Sequence, residues 1–322
     1  MTKIDIFSGF LGAGKTTLIK KMIQEAYAGQ KLVLIENEFG EIGIDGGFLQ
    51  DAGINITEMN SGCICCSLVG DFGKALTQVI QEYAPERIVI EPSGVGKLSD
   101  VVAAVQKVTN EEVTLGYTVA VADAGKVKVY MKNFGEFYNN QIETASTIIL
   151  SRTDAIPQAK LDAAVAMLRE HNADATIVVA PWSELSGAQL LEAMEGKATL
   201  AAALEELEHE HHHDHEEGCG CGHHDHDHHH HADEVFTSWG VETTRKFTVA
   251  ELEAALHSLD TGRFGVSLRA KGIVACADGG WIHFDYVPEE HNIRMGSASI
   301  IGKLCVIGAQ LDEQGVAKLF GV

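Results

Sequence analysis

Residues 4–17 read Ile-Asp-Ile-Phe-Ser-Gly-Phe-Leu-Gly-Ala-Gly-Lys-Thr-Thr, and this stretch decides the fold of the first half of the chain. A short apolar run leads into a glycine-rich loop, and a helical pattern follows over residues 18–28. The spacing Gly9-x4-Gly14-Lys15-Thr16 matches the phosphate-loop pattern in the strand-loop-helix setting that this pattern requires. Glycines let backbone N–H groups close around phosphate oxygens, and the N-terminus of the following helix attracts negative charge. The stretch therefore predicts a nucleoside triphosphate site.

The residue types of the loop predict a division of roles. We expect Lys15 to reach the β- and γ-phosphates as a catalytic residue, and the Thr16 hydroxyl to bind Mg²⁺. A tight turn in a chain with 33 glycines would explain the glycines, but not the lysine and the paired threonines. The other residues expected to contact the nucleotide here are Gly9, Gly12, Ala13, Gly14 and Thr17.

Length and composition narrow the class of protein. A chain of 322 residues favours two domains, and no apolar run approaches the roughly 20 residues of a membrane span. The N-terminal residues enter a strand pattern at once, without a basic region or cleavage signal, so we expect a cytoplasmic protein without membrane contacts. Its seven cysteines would then be reduced and available for metal. A net charge of −22 argues against a nucleic acid partner, which would need a basic face.

Helical and apolar strand patterns alternate from the N-terminus to about residue 200. Several strands are apolar throughout, which is typical of a parallel sheet buried on both faces. We therefore predict an α/β fold: a P-loop NTPase domain over residues 1–200, with a mostly parallel sheet covered by helices on both faces. Residues 235–322 mix strand and helix patterns and predict a smaller α+β C-terminal domain.

Residues 201–234 separate the two predicted domains and have a composition of their own. Between residues 209 and 231 lie twelve of the sixteen histidines, and residues 205–234 contain eleven acidic and no basic side chains. With so few apolar residues to bury, we expect a disordered linker that binds metal weakly, either as a reservoir or incidentally. The accessory metal ligands predicted here are His211, His213, Cys219, Cys221, His224 and His226.

Two acidic residues follow predicted strands of the first domain. Glu91 ends an apolar strand and precedes Pro-Ser-Gly, where phosphate-loop proteins carry an acid that acts on Mg²⁺ or on the attacking water. Asp154 follows the strand pattern 147–150, and a carboxylate there can accept hydrogen bonds from guanine N1 and N2. Adenine offers no matching pair of donors, so Asp154 favours GTP.

Four ordered motifs together resemble the CobW-type family of metal-trafficking P-loop GTPases, which is related to the nickel-insertion GTPases of urease and hydrogenase maturation. The motifs are the phosphate loop, Glu-Asn-Glu-Phe-Gly-Glu at 36–41, Cys-Ile-Cys-Cys at 63–66 and Glu-Pro-Ser-Gly at 91–94. Three stretches at 268–272, 281–285 and 306–308 resemble the family's C-terminal domain. The resemblance implies a GTPase in which Glu91 is the acid of the E-x-x-G motif and Asp154 reads guanine.

The chain departs from the usual guanine-binding motif at Ser151 and Arg152, where GTPases of this class carry Asn-Lys. Serine lacks the amide that braces the loop, whereas arginine keeps an aliphatic stem that can stack on the base. We expect Arg152 to contact the nucleotide and the preference for guanine to be looser.

The cysteines at 63–66 predict a second metal site, apart from Mg²⁺. Cys63, Cys65 and Cys66 are soft ligands that suit Zn²⁺ or Co²⁺, with Ni²⁺ as a further option. Small buried cysteines would be the alternative. Closed structural zinc sites have four protein ligands, so three cysteines predict an incomplete site that can transfer its metal. Glu36 and Glu41 are candidates to complete it, and the resemblance points the same way.

From the sequence we hypothesise that the protein is a GTP-hydrolysing metallochaperone. It would bind metal tightly in the GTP state and release it to a client protein after hydrolysis. The client would be a metalloenzyme or a protein of a cofactor pathway, and a nucleotide-dependent homodimer is a further expected partner. Two alternatives remain open: a metal storage protein with an incidental nucleotide domain, and a P-loop kinase for a small molecule.

Overall fold

The computed structural model describes residues 1–36, 56–60, 69–197, 199–201, 203–204 and 237–322. The chain divides into two compact units, Met1–Gly196 and Lys197–Val322. Within these described residues, no helix combines the length and apolar character that a membrane crossing would need.

The first unit is built on a parallel sheet with β1 in its interior. Its strands are β1 (Thr2–Gly9), β2 (Leu32–Glu36), β3 (Ile56–Asn60), β4 (Arg87–Glu91), β5 (Val113–Asp123), β6 (Thr147–Ser151) and β7 (Thr176–Val178). They are ordered β3-β2-β4-β1-β5-β6-β7, and each pairing between them is parallel. Parallel strands end at one edge of a sheet, so the residues that follow β1, β2, β4 and β6 meet there.

Helices connect these strands and cover the sheet. They are α1 (Lys15–Glu25), α2 (Val69–Tyr83), α3 (Leu98–Gln106), α4 (Val127–Thr144), α5 (Gln158–His171) and α6 (Gly187–Met194). The core strands are apolar on both faces; Ile4, Ile6 and Phe7 of β1, for example, are fully buried. The predicted α/β fold, with a parallel sheet covered by helices, is confirmed.

A buried polar group interrupts β1 at Asp5, which is fully buried. Its carboxylate accepts hydrogen bonds from the Tyr27 hydroxyl (3.0 Å) and the Tyr117 backbone N–H (3.0 Å), and it pairs with the Arg87 guanidinium. Arg87 also lies over the Tyr27 ring, 4.3 Å from its centroid. One carboxylate therefore ties β1 to β4, to β5 and to the chain just beyond α1.

The second unit, over its described residues 237–322, is a mainly antiparallel sheet against which helices pack. Its strands are β8 (Thr237–Thr243), β9 (Lys246–Phe247), β10 (Val266–Cys276), β11 (Trp281–Val287), β12 (Glu290–Gly296) and β13 (Gly302–Ala309). The main order is β12-β11-β10-β13-β8, with β9 pairing in parallel with β10. Helices α7 (Val249–Leu259) and α8 (Glu313–Phe320) contribute Leu252, Leu256 and Phe320 to one buried cluster with Phe284 and Val306. The predicted α+β class is confirmed.

The sequence patterns did not predict every element correctly, and helix α6 at Gly187–Met194 is one that they missed. The alternating pattern at 243–248 predicts one strand there, whereas in the structure β8 ends at Thr243 and the short β9 follows it. Strand β12 was missed because its sequence, EHNIRMG, is polar; it pairs with β11 alone among the described strands and is largely exposed. The sequence pattern predicts a helix at about 134–145; helix α4 begins at Val127, seven residues earlier, and has non-helical backbone angles at Phe134.

Candidate nucleotide site

The phosphate loop leaves β1 at a position that only glycine can occupy. Gly9 has a φ of 147°, and a Cβ there would lie 2.3 Å from the carbonyl oxygen of Val121 on β5. Gly14, at the start of α1, has a φ of 103°, and a Cβ there would lie 3.1 Å from the ring of Trp182. The loop is therefore held between β5 and Trp182 in a conformation that β-carbons would prevent.

Lys15, Thr16 and Glu91 come together at the edge of the sheet where β1 and β4 end. The buried Lys15 ammonium donates to the Gly9 carbonyl at 3.0 Å and lies 3.9 Å from Glu91 Oε1. The Thr16 hydroxyl donates to both carboxylate oxygens of Glu91, at 3.1 and 3.2 Å. A hydroxyl and a carboxylate are the hard oxygen donors that Mg²⁺ prefers, so the residues present fit that ion.

Arg152 connects the predicted base-reading turn to the phosphate loop. It adopts a left-handed conformation, with a φ of 56°, directly after β6. Its guanidinium pairs with the Asp123 carboxylate and donates to the Gly12 carbonyl at 3.0 Å. The guanidinium thus bonds to the loop and to the end of β5, and the contact between Arg152 and the nucleotide stays a prediction.

Asp154 lies exposed in a single 3₁₀ turn, Thr153–Ala155, that follows β6. Trp182, which sequence reasoning did not single out, donates from its indole N–H to the Leu150 carbonyl at 2.9 Å and thereby packs beside Gly14. The only local signal for Trp182 is a bulky aromatic just beyond the last strand of the sheet. Its contact with the phosphate loop follows from the pairing of strands distant in sequence.

The second metal site predicted from the sequence is here called the cargo site. Of its predicted ligands, only Glu36 lies among the residues that the structure describes. Glu36 ends β2 in register with Glu91 of β4 and is half-buried, so it stands next to the nucleotide machinery. Within the described part of the chain, no group of three or more metal-ligating side chains comes together. The predicted ligands outside the described residues are Cys63, Cys65, Cys66, Glu41 and the accessory set His211, His213, Cys219, Cys221, His224 and His226.

Comparison with protein families adds to this geometry. Residues 3–179 match the profile described as CobW/HypB/UreG, nucleotide-binding domain, which is more than half of the chain. The chain belongs to the CobW/HypB/UreG family. Residues 236–321 match the profile described as the cobalamin synthesis protein CobW C-terminal domain, so both units have counterparts among CobW proteins.

Individual CobW relatives match over shorter stretches. The zinc chaperone CobW of Sinorhizobium sp is 32% identical over an alignment of 187 residues, and the match covers 49% of this chain and 52% of that protein. The zinc chaperone YjiA of Escherichia coli is 30% identical over an alignment of 164 residues, and the match covers 49% of this chain and 51% of that protein. The chain thus spans about half the length of the curated relatives it matches. The crystal structure of Zn(II)-bound YjiA GTPase aligns over 99% of this chain and 98% of that one, with 20% identity and a TM-score of 0.45.

Proposed function

We propose that this CobW-family chain is a GTP-hydrolysing metallochaperone that binds a Zn²⁺-type ion and releases it to a client protein in a nucleotide-dependent way. The observation that carries the proposal is the convergence of Lys15, Thr16 and Glu91 behind the phosphate loop, within a chain of this family. The names of the relatives, zinc chaperones in two bacteria, support zinc as the cargo. Cobalt and nickel remain the other candidates on ligand chemistry.

Hydrolysis would transfer the γ-phosphoryl group of GTP to water, chiefly through positioning and charge stabilisation. The Lys15 ammonium, now bonded to the Gly9 carbonyl, is 3.9 Å from Glu91 and is placed to exchange these partners for phosphate oxygens. Thr16 and Glu91 would hold Mg²⁺, which supplies positive charge to the phosphate oxygens when bound. Backbone N–H groups of the loop and the start of α1 complete the stabilisation of the anion.

The proposed cargo site consists of Glu36 and of four residues that follow it in the sequence. Cys63, Cys65 and Cys66 would supply thiolates, and Glu36 and Glu41 would supply oxygen ligands. Glu36 pairs in register with Glu91 on the neighbouring strand. A predicted ligand of the cargo site is therefore one strand spacing from a predicted residue of the nucleotide site. This proximity supports coupling between GTP hydrolysis and metal release.

Coupling predicts that metal affinity depends on the nucleotide. Zn²⁺ should bind at least tenfold more tightly with a non-hydrolysable GTP analogue than with GDP, because coupling between two sites commonly amounts to about 1–3 kcal/mol. Competition against a zinc-chelating dye, in the presence of Mg²⁺ and each nucleotide, measures the ratio. Equal affinities would refute the coupling, since a ligand indifferent to two states cannot shift them.

The guanine preference predicts a specific effect at Asp154. In the wild type, GTP should bind more tightly than inosine triphosphate, which lacks the N2 amino group that a carboxylate accepts from. Asp154→Ala should weaken GTP binding about 10- to 100-fold, the range for a hydrogen bond to a charged group, and should bring GTP and inosine triphosphate to similar affinities. Fluorescent-nucleotide displacement measures both. If the variant keeps the wild-type ratio of GTP affinity to inosine triphosphate affinity, a residue other than Asp154 recognises guanine.

A small-molecule kinase is the weaker alternative. Asp154 after β6 and the cysteine motif have no role in such an enzyme, whereas both fit a GTPase that handles metal. A phosphorylated small molecule, formed in a screen of substrates with GTP or ATP, would restore the kinase interpretation.

A further inference from the structure

Helix α4 contacts two separate parts of the nucleotide site. Its N-terminal half packs on the phosphate loop through aromatic rings: the Phe10 centroid lies 4.6 Å from that of Tyr130 and 4.9 Å from that of Phe134. Phe134 is also the residue with non-helical angles, φ −133° and ψ 28°, so the two halves of α4 meet there.

The C-terminal half of α4 holds the segment that follows Glu91. The side-chain amide of Gln141 donates to the carbonyl oxygens of Gly94 at 3.1 Å and of Gly96 at 2.8 Å. The neighbouring Asn140 binds Ser99 at the start of α3, accepting from its backbone N–H at 3.1 Å and donating to its hydroxyl at 3.0 Å. The turn after Glu91 is thus fastened to α4 at both of its glycines.

The Gln141 side chain is fully enclosed, with 1% of its surface exposed. Its amide nitrogen faces the two carbonyls, and the opposite assignment would place an oxygen against two acceptors. Its Oε1 atom has no hydrogen-bond partner in the described part of the chain, so the side chain bonds through the nitrogen alone there. The hydrogen bonds of this buried amide are therefore made to the turn at residues 94–96, and not to a wider network of polar side chains.

The turn that Gln141 holds lies directly against the phosphate loop. A Cβ on Gly94 would come within 2.8 Å of the Leu11 side chain and 2.9 Å of its backbone nitrogen. Within the turn, the Gly96 N–H donates to the Ser93 carbonyl at 2.9 Å. Gly94 is therefore three residues from Glu91 and in contact with the phosphate loop at Leu11.

We propose that Gln141 is a positioning residue that lets the chain distinguish GTP from GDP. It fixes the turn at residues 93–96 through the Gly94 and Gly96 carbonyls, and so holds the Gly94 backbone beside the terminal phosphate without touching the nucleotide itself. The inference rests on the proposed function, because it requires that GTP occupies the phosphate loop. Contacts to the terminal phosphate are absent in GDP, so a displaced turn weakens the binding of GTP alone.

The test is a pair of nucleotide affinities for Gln141→Met, which keeps the side-chain volume and removes both donors. Affinity for a non-hydrolysable GTP analogue should fall about tenfold, the equivalent of one or two neutral hydrogen bonds, while affinity for GDP stays within about twofold. The rate of hydrolysis at saturating GTP should fall at least as much, because a small displacement of a positioned group is amplified in the transition state.

Glu136→Gln is the matched control, on the same half of α4. Glu136 forms an exposed ion pair with Lys97 at 2.9 Å, and its loss should leave both affinities unchanged. Gln141→Glu is a second variant, equal in shape, whose carboxylate would face the two carbonyl oxygens and should shift the analogue-to-GDP ratio in the same direction as Gln141→Met.

Equal losses for GDP and the analogue in both Gln141 variants would show that Gln141 only maintains the fold, and unchanged affinities would show that it does not position the turn. Either result overturns this inference and leaves the proposed function intact when the wild type hydrolyses GTP. A wild-type chain that binds neither GTP nor its analogue would overturn the proposed function itself.

Discussion

Lys15→Ala should reduce kcat/KM for GTP hydrolysis on the order of 10²- to 10³-fold, the range for removal of one stabilising donor at a developing anion. The buried ammonium is held between the Gly9 carbonyl and Glu91, so its removal takes away a positive charge fixed at the phosphate loop. Phosphate release from purified protein with Mg²⁺ and GTP measures the change. Lys21→Ala, in an ion pair with Glu25 on the same helix, is the control and should retain activity.

The same variant separates the metallochaperone from a storage protein. Lys15→Ala should still bind Zn²⁺ but should fail to pass it to an apo-client when GTP is added. A variant that hydrolyses no GTP yet loads the client at the wild-type rate would favour storage, with an incidental nucleotide domain. Hydrolysis that survives the substitution would instead remove Lys15 from the mechanism.

Asp5→Asn should cause the largest loss of stability that the structure predicts. The substitution preserves shape but leaves the buried Arg87 guanidinium without its counter-charge, and breaking a buried ion pair from one side costs about 3–5 kcal/mol. Tyr27 and the Tyr117 N–H lose a charged acceptor as well. The thermal midpoint of the first unit should fall by about 10 °C, measured by circular dichroism or calorimetry.

Lys21→Ala again serves as the control, because its ion pair with Glu25 is a solvent-accessible pair one helical turn apart. It should shift the midpoint by about 1 °C or less. A midpoint for Asp5→Asn as close to the wild type as that of Lys21→Ala would mean that the Asp5 network does not stabilise the fold.

Local sequence patterns were sufficient for the parts of the fold that short-range physics determines. The phosphate loop carries its own backbone requirements in its glycines. The apolar spacing over 158–171 and 249–259 predicts two helices, and α5 and α7 have those bounds. Strand β12 could not be predicted from its sequence, because a largely exposed edge strand needs no alternation of apolar residues. It is held in the sheet by its pairing with β11.

The site shows the same division. Lys15, Thr16 and Glu91 could be named from their motifs, whereas the Arg152 contacts with Asp123 and Gly12 join residues that are far apart in sequence. Gln141 gave no signal at all, since a glutamine in a helix has no motif until the turn at 94–96 is seen against it. Residue types within a motif indicate the chemistry of the site. The residues that hold the motif in place from elsewhere in the chain can be identified only from the three-dimensional structure.

The central place of β1 also has a consequence for synthesis on the ribosome. Strand β1 is largely buried, yet its partners β4 and β5 come much later in the chain, and the bond from the Tyr117 N–H to Asp5 spans 112 residues. At about 5–20 residues per second, β1 waits roughly 5–20 s for a neighbour on that side. Nascent chains stalled before residue 113 should accordingly be cut quickly by protease, and chains that expose β5 should resist; equal sensitivity would argue against the delay. Until β5 emerges, the strand that leads into the phosphate loop keeps one of its two edges unpaired in the sheet.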